Sequence, residues 1–137
     1  MAATTALLTA EKAVSNAPHE RWELVRGEVV TYMPVQPEHA RCVQRLGTKV
    51  EVFLEDPESA VMGPEIGFIV AQDPDTVRAP DWSFTWLQEA QARIRGAWIE
   101  GGPNIAAEVV SPDDAWFEVQ TKVDEYLAAG TALVWVI

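Results

Sequence analysis

Asp81 lies in the stretch "VRAPDWSF" (77–84), where its neighbours otherwise spell a short apolar strand. Strands are poor in Pro, which cannot donate to the ladder, and in Asp, which competes for backbone hydrogen bonds. Glu108 repeats the anomaly as the only polar residue of "IAAEVV" (105–110). A carboxylate withdrawn from water is costly unless it is hydrogen-bonded, paired with a cation or bound to metal. Two strand carboxylates facing one pocket suit Mg²⁺ (or Mn²⁺), which takes oxygen ligands and keeps several waters. Taken singly, each residue has a plainer reading: a strand-end turn for Pro80-Asp81, an internally hydrogen-bonded acid for Glu108.

A cation for such a pair is scarce downstream, because residues 96–137 hold seven acids and one base, Lys122. Glu108 is three residues before Ser111, about 10 Å back along a strand rising ~3.3 Å per residue. Lys122 is eleven residues after Ser111, about 16 Å along a helix rising 1.5 Å per residue. A helix folded back over the strand therefore returns Lys122 to about the level of Glu108. On a helical wheel Lys122 sits roughly 90° from the centre of the apolar stripe, on the Tyr126 side, where a long side chain can run along the core. An Asp, a Glu and a Lys that converge can support metal-assisted phosphodiester hydrolysis, with the ammonium orienting water or stabilising developing charge. An ordinary solvated helix lysine is the alternative.

These residues need elements to hold them. "LLTAEKAVSNAP" (7–18) predicts a short helix ending before Pro18, and "RWELVRGEVVTYM" (21–33) a hairpin turning at Arg26-Gly27. From Pro37 to Leu54 the apolar residues Ala40, Val43, Leu46, Val50, Phe53 and Leu54 keep helical spacing. Arg41, Arg45 and Lys49 fall four apart on this helix and form the densest basic row of the chain, a candidate for phosphate contacts or simply a solvated face. Glu38 and His39 open the same helix: the acid complements the helix dipole, and the imidazole could meet phosphate or a proton.

Residues 60–70 and 77–84 predict two strands around an Asp-Pro-Asp turn, and 85–103 an irregular or partly helical passage. "NIAAEVVS" (104–111) is a strand; Ser111-Pro112-Asp113-Asp114 predicts a helix start, with Ser111 as the cap. That helix carries Trp116, Val119, Val123, Tyr126 and Leu127 and stops at Gly130, and "TALVWVI" (131–137) predicts a last buried strand. The sum is a single α/β domain over 1–137, a mixed sheet flanked by helices, with 1–19 as an N-terminal helical extension. A buried strand at the last residue, Ile137, raises the expectation of further strands beyond it. Glu23 alternates with Trp22 and Leu24, which predicts a solvent-facing acid with a possible supporting role near the pocket.

Composition sets limits. Forty-eight per cent hydrophobic and 23% charged residues describe a globular chain, and no apolar run approaches the ~18 residues of a membrane span. The first residues lack a basic region and meet Glu11, against a signal peptide, and the lone Cys42 forms no internal disulfide; a cytoplasmic protein is the expectation. Ten basic and twenty-one acidic residues give a net charge of −11, which opposes general polyanion affinity and favours a cation-collecting site.

Six segments, "RWELVRGEVV", "PEHARCVQRL", "VRAPDWSF", "AAEVVSPDD", "KVDEYLAAG" and "LVWVI", stand in the order and spacing of the Uma-two family. The chain resembles that family, restriction-endonuclease-like members of the PD-(D/E)XK nuclease superfamily, over about residues 20–137. The resemblance implies a metal-dependent nuclease in which Asp81 and Glu108 hold Mg²⁺ and the backbone carbonyl of Val109 is a further ligand. It also implies a role for Glu23, which matches a frequent family position. The superfamily's Lys two residues after the Glu is Val110 here, and the matching "KVDEY" implies that Lys122 supplies the cation from the helix. The expected function is Mg²⁺-dependent cleavage of DNA, with Arg41, Arg45 and Lys49 on phosphates and a homodimer to concentrate basic surface. The alternative expectation is a catalytically inactive nuclease fold serving as a protein-interaction module.

Overall fold

A computed structural model describes residues 6–137. Helix α1 (Ala10–Asn16) is capped by Thr9, whose side chain accepts from the Lys12 N–H, and it buries Ala10 and Ala13 against Leu24, Ile69 and Val77. Strands β1 (Arg21–Val25) and β2 (Glu28–Tyr32) pair antiparallel through the predicted Arg26-Gly27 turn. Both turn residues have positive φ, 50° and 80°, the pattern of a type I′ turn that only glycine adopts without strain. Helix α2 (Pro37–Phe53) follows, laying Val43, Leu46 and Val50 on Trp82 and Phe84.

The remaining strands are β3 (Ala60–Gly63), β4 (Phe68–Ala71), β5 (Thr76–Arg78), β6 (Trp82–Trp86), β7 (Ile94–Arg95), β8 (Trp98–Glu100), β9 (Ile105–Glu108) and β10 (Leu133–Val136). Helix α3 (Leu87–Ala92) follows β6, and α4 (Trp116–Ala128) links β9 to β10. They form two mixed sheets, one of six strands ordered β2-β1-β5-β4-β8-β7 and one of four ordered β10-β9-β6-β3. The α/β class is as expected, with two sheets in place of one.

Three sequence expectations need correction. Residues 60–70 and 77–84 each split into two strands, because the chain crosses from one sheet to the other at Gly63-Pro64-Glu65 and again at Ala79-Pro80-Asp81. Proline lacks the N–H a ladder needs, so it marks both crossings. The two crossings run side by side, with the Glu65 N–H donating to the Pro80 carbonyl at 3.1 Å. Asp81 thus stands on the seam between the sheets.

The second correction concerns α4, which starts at Trp116 and is not capped by Ser111. The Ser111 N–H instead donates to Asp114 Oδ2 at 2.7 Å, and this local turn competes with an earlier helix start. The third concerns β10, which is an edge strand and not a buried one. Among the described residues it pairs only with β9, in parallel, and Leu133 and Val136 are 44% and 40% exposed. An apolar run identifies a strand but not how many of its faces are covered.

Candidate active site

The register of β6 on β9 opposes Trp82 to Ala107. Continuing that register by one residue would put Asp81, just outside β6, opposite Glu108 at the end of β9. The Val109 N–H donates to Asp81 Oδ2 at 2.8 Å and ties the two strand ends together. Lys122, six residues into α4, returns to the end of β9 that carries Glu108. Lys122 Nζ lies 3.6 Å from Glu108 Oε2 and 3.7 Å from Glu23 Oε2, so Asp81, Glu108 and Lys122 do meet.

Each carboxylate is held from several sides. Asp81, 6% exposed, accepts from Arg21 Nη2 on Oδ1 at 2.9 Å, and His39 Nε2 faces its Oδ2 at 3.1 Å. His39 turns Nε2 to the carboxylate, and among the described residues its buried Nδ1 has no hydrogen-bond partner. Glu108, also 6% exposed, accepts from the Tyr126 hydroxyl at 2.7 Å. Glu23 corrects a further expectation: it points inward, 3% exposed, because Arg78, Tyr32 and the Ala79 N–H all donate to it. Alternation placed it on the face opposite Leu24, and that face is covered by α4 rather than by water. Arg78 in turn reaches Glu125 of α4 through Nε and Nη2 at 2.6 and 3.1 Å.

This wiring sets the charge states. Burial pushes the Glu108 carboxyl up to about 7, with Lys122 and Tyr126 opposing the shift and the neighbouring Asp81 and Glu23 carboxylates adding to it. Burial pushes Glu23 in the same direction, but Lys122 and Arg78 overcome it and hold that carboxyl below its ordinary value. Burial and the Glu23 carboxylate raise the Tyr32 hydroxyl well above its usual range. Five carboxylates in the connected cluster, Glu23, Glu65, Asp81, Glu108 and Glu125, face three permanent cations, Arg21, Arg78 and Lys122. With all five ionised the cluster is two positive charges short of balance, and with Glu108 protonated it is one short.

A cleft of about 620 Å³ opens over this cluster, walled by Arg21, Tyr32, His39, Arg78, Asp81, Glu108, Val109 and Lys122 among others. A second cavity of about 490 Å³ lies between α2 and the Gly63-Pro64-Glu65 crossing and shares His39 and Asp81 with the first. Arg41, Arg45 and Lys49 are exposed on α2 and line neither cavity. Glu38 is exposed in the first turn of α2, also outside both walls. Among the described residues no three His, Cys, Asp or Glu side chains form a ready-made metal cage. A hydrated ion does not need one, because Mg²⁺ is commonly held by one or two carboxylates and completes its shell with water. The charge deficit and the buried, elevated Glu108 carboxyl fit a divalent cation.

Four residues of the site escaped sequence reasoning. Tyr126 stands one turn after Lys122, so any helix that carries Lys122 to Glu108 carries a phenol as well; that signal was present. Arg78 is a charge in a buried strand and invites the same question as Asp81. Tyr32 and Arg21, on exposed-looking strand positions, carried no signal.

Among curated proteins none matches. A crystal structure from Anabaena variabilis ATCC 29413, described as a putative nuclease belonging to DUF820, superposes with a TM-score of 0.72 at 19% identity, covering 95% of this chain and 73% of that one. At that identity the likeness speaks for the fold. Among the described residues no helix is long and apolar enough to cross a membrane. Residues 7–137, nearly the whole chain, match the family Uma2, described as "Putative restriction endonuclease", and the chain belongs to that family.

Proposed function

We propose that this protein is a divalent-metal-dependent endonuclease that hydrolyses DNA phosphodiester bonds. The observation that carries the proposal is the buried Glu108 carboxyl, pushed up to about 7 beside Asp81, in a cluster short of positive charge. Asp81 and Glu108 would hold Mg²⁺ or Mn²⁺, with the Val109 carbonyl as a further ligand. A cation bound there supplies Lewis-acid polarisation of a phosphoryl oxygen and acidifies water.

The protein's own residues do the rest. Tyr126 fixes Glu108 through Oε1 and leaves Oε2 turned towards Lys122. Lys122 has no short hydrogen bond and lies 5.2 Å from the Tyr32 ring centroid, so its ammonium is free to take an incoming water or a phosphate oxygen. Glu23 holds that ammonium and Arg78 in place. His39, through Nε2, stands against Asp81. Arg41, Arg45 and Lys49 would meet phosphates outside the cleft. The alternative, an inactive interaction module, drew on Val110 standing where the superfamily has its Lys. An ammonium 3.6 Å from Glu108 answers the need from another element.

The test is supercoiled plasmid incubated with Mg²⁺ or Mn²⁺, beside Asp81→Ala and Lys122→Ala. We expect nicking by the wild type and a loss on the order of 10²–10³ in rate for each variant, the range for removing a positioned charge from such a site. Cutting that survives both substitutions, or persists in a chelator, sinks the proposal.

A further inference from the structure

We propose that Arg21 occupies the coordination position of Asp81 in the metal-free protein, gives way to the cation, and then serves as a phosphate contact for the substrate. This rests on the metal reading above. Its starting point is the lone-pair inventory of Asp81. An ionised carboxylate oxygen offers two lone pairs. Oδ2 accepts from the Val109 N–H at 2.8 Å and faces His39 Nε2 at 3.1 Å. Oδ1 is the less crowded oxygen, and its partner is Arg21 Nη2 at 2.9 Å. A cation drawn to Asp81 therefore finds its opening at the oxygen where a guanidinium already sits. Two positive groups on one oxygen repel strongly in a buried setting.

Arg21 can leave without being lost. Its Nε is paired separately with Glu65 Oε1 at 2.9 Å, and Glu65 belongs to the crossing anchored to the Pro80 carbonyl. Glu65 is half exposed and lines the neighbouring 490 Å³ cavity. Releasing Asp81 while keeping Glu65 lets the guanidinium pivot about Nε, turning its two Nη groups into the 620 Å³ cleft that Arg21 already lines. The Tyr32 ring, 5.6 Å from the guanidinium carbon, offers a face on which it can rest. An arginine fork freed from one anion is well shaped for another, and a phosphodiester is the anion the proposed reaction brings. One residue would then couple metal entry to substrate binding.

The experiment is a Mn²⁺ titration of the purified, metal-stripped protein, read from the electron paramagnetic resonance of free Mn²⁺, on wild type, Arg21→Gln, Glu65→Gln and Asp81→Asn. Plasmid cleavage kinetics accompany it. Arg21→Gln should bind Mn²⁺ on the order of tenfold more tightly, as expected for removing a partly exposed ion-pair competitor. Its KM for DNA should rise by a similar factor with kcat little changed. Glu65→Gln should raise KM without tightening Mn²⁺. Asp81→Asn should abolish Mn²⁺ binding. Arg21→Lys, which keeps the charge but cannot fork to both acids, guards against misfolding and should fall between wild type and Arg21→Gln. If Asp81→Asn loses Mn²⁺ while Arg21→Gln binds no more tightly than wild type, the displacement idea is overturned and the metal site stands. If neither wild type nor Arg21→Gln binds Mn²⁺, both fall together.

Discussion

Glu108 is where burial, a hydroxyl and an ammonium contend for one proton. Its carboxyl titrates at about 7, against an ordinary value of 4.5, with burial as the main cause. Between those values the folded protein keeps a proton that the unfolded chain has released. Stability contributed by this group is therefore intact below about 4.5 and is lost as the pH rises through about 7. In a chelator, urea unfolding of wild type compared with Glu108→Gln should show the difference growing in favour of the variant across that window, by up to ~3 kcal/mol. Parallel curves at all pH values would contradict the assignment. Tyr126→Phe removes the donor to Glu108 Oε1 and should cost about 1–3 kcal/mol, the usual range for stranding a buried acceptor. The same change weakens support for the ionised form, so the acidic limb of the cleavage profile should move to higher pH. Asp81 and Glu108 were legible in the sequence because a lone acid in an apolar strand needs an explanation. Of their side-chain partners, Tyr126 was foreshadowed by its place one turn beyond Lys122, whereas Arg21 was not, because it sits at an ordinary-looking strand position.

Arg78 fastens elements together. It joins β5 to β1 through Glu23 and to α4 through Glu125, so the helix that delivers Lys122 is pinned to the sheet by a buried guanidinium. Removing one member of a buried network leaves its partners uncompensated, at about 3–5 kcal/mol. Arg78→Met should therefore lower the unfolding free energy by that order, measured by denaturant titration. Glu125→Gln, at a more exposed position and with Glu23 still pairing Arg78, should cost much less. Equal costs would mean that Glu23 tolerates isolation. At this scale the sequence was legible where local chemistry decides: the Arg26-Gly27 hairpin, the helix opening at Pro37 and the short α1. It was illegible where tertiary context decides. Pro64 and Pro80 looked like interruptions within strands, and only their placement side by side identifies them as crossings between two sheets. Ser111 looked like a cap until the Asp114 side chain claimed its N–H. The convergence of Lys122 on Glu108 survived that error.

A net charge of −11 must be reconciled with a polyanionic substrate. Before a metal is bound the cations inside the cleft stand against carboxylates, so the first attraction for DNA depends on the divalent ion and on the basic surface outside. The candidate surface is the row Arg41, Arg45 and Lys49, exposed on α2, whose inner edge contributes His39 to the cleft wall. Each phosphate neutralised by a side chain contributes a slope of about −0.9 to the logarithmic dependence of affinity on salt. Fluorescence anisotropy with a labelled duplex and Ca²⁺ in place of Mg²⁺ should therefore give a shallow slope, far from that of a protein making many phosphate contacts. Replacing all three basic residues by Ala should flatten it further, by up to ~3. Affinity should fall, while the cleavage rate at saturating DNA stays near wild type, because none of the three touches Asp81, Glu108 or Lys122. A triple variant with unchanged affinity and slope would show that the row is only a solvated face and that the duplex approaches from elsewhere. Binding that is equally tight in a chelator would show that the cluster's missing charge plays no part in holding DNA.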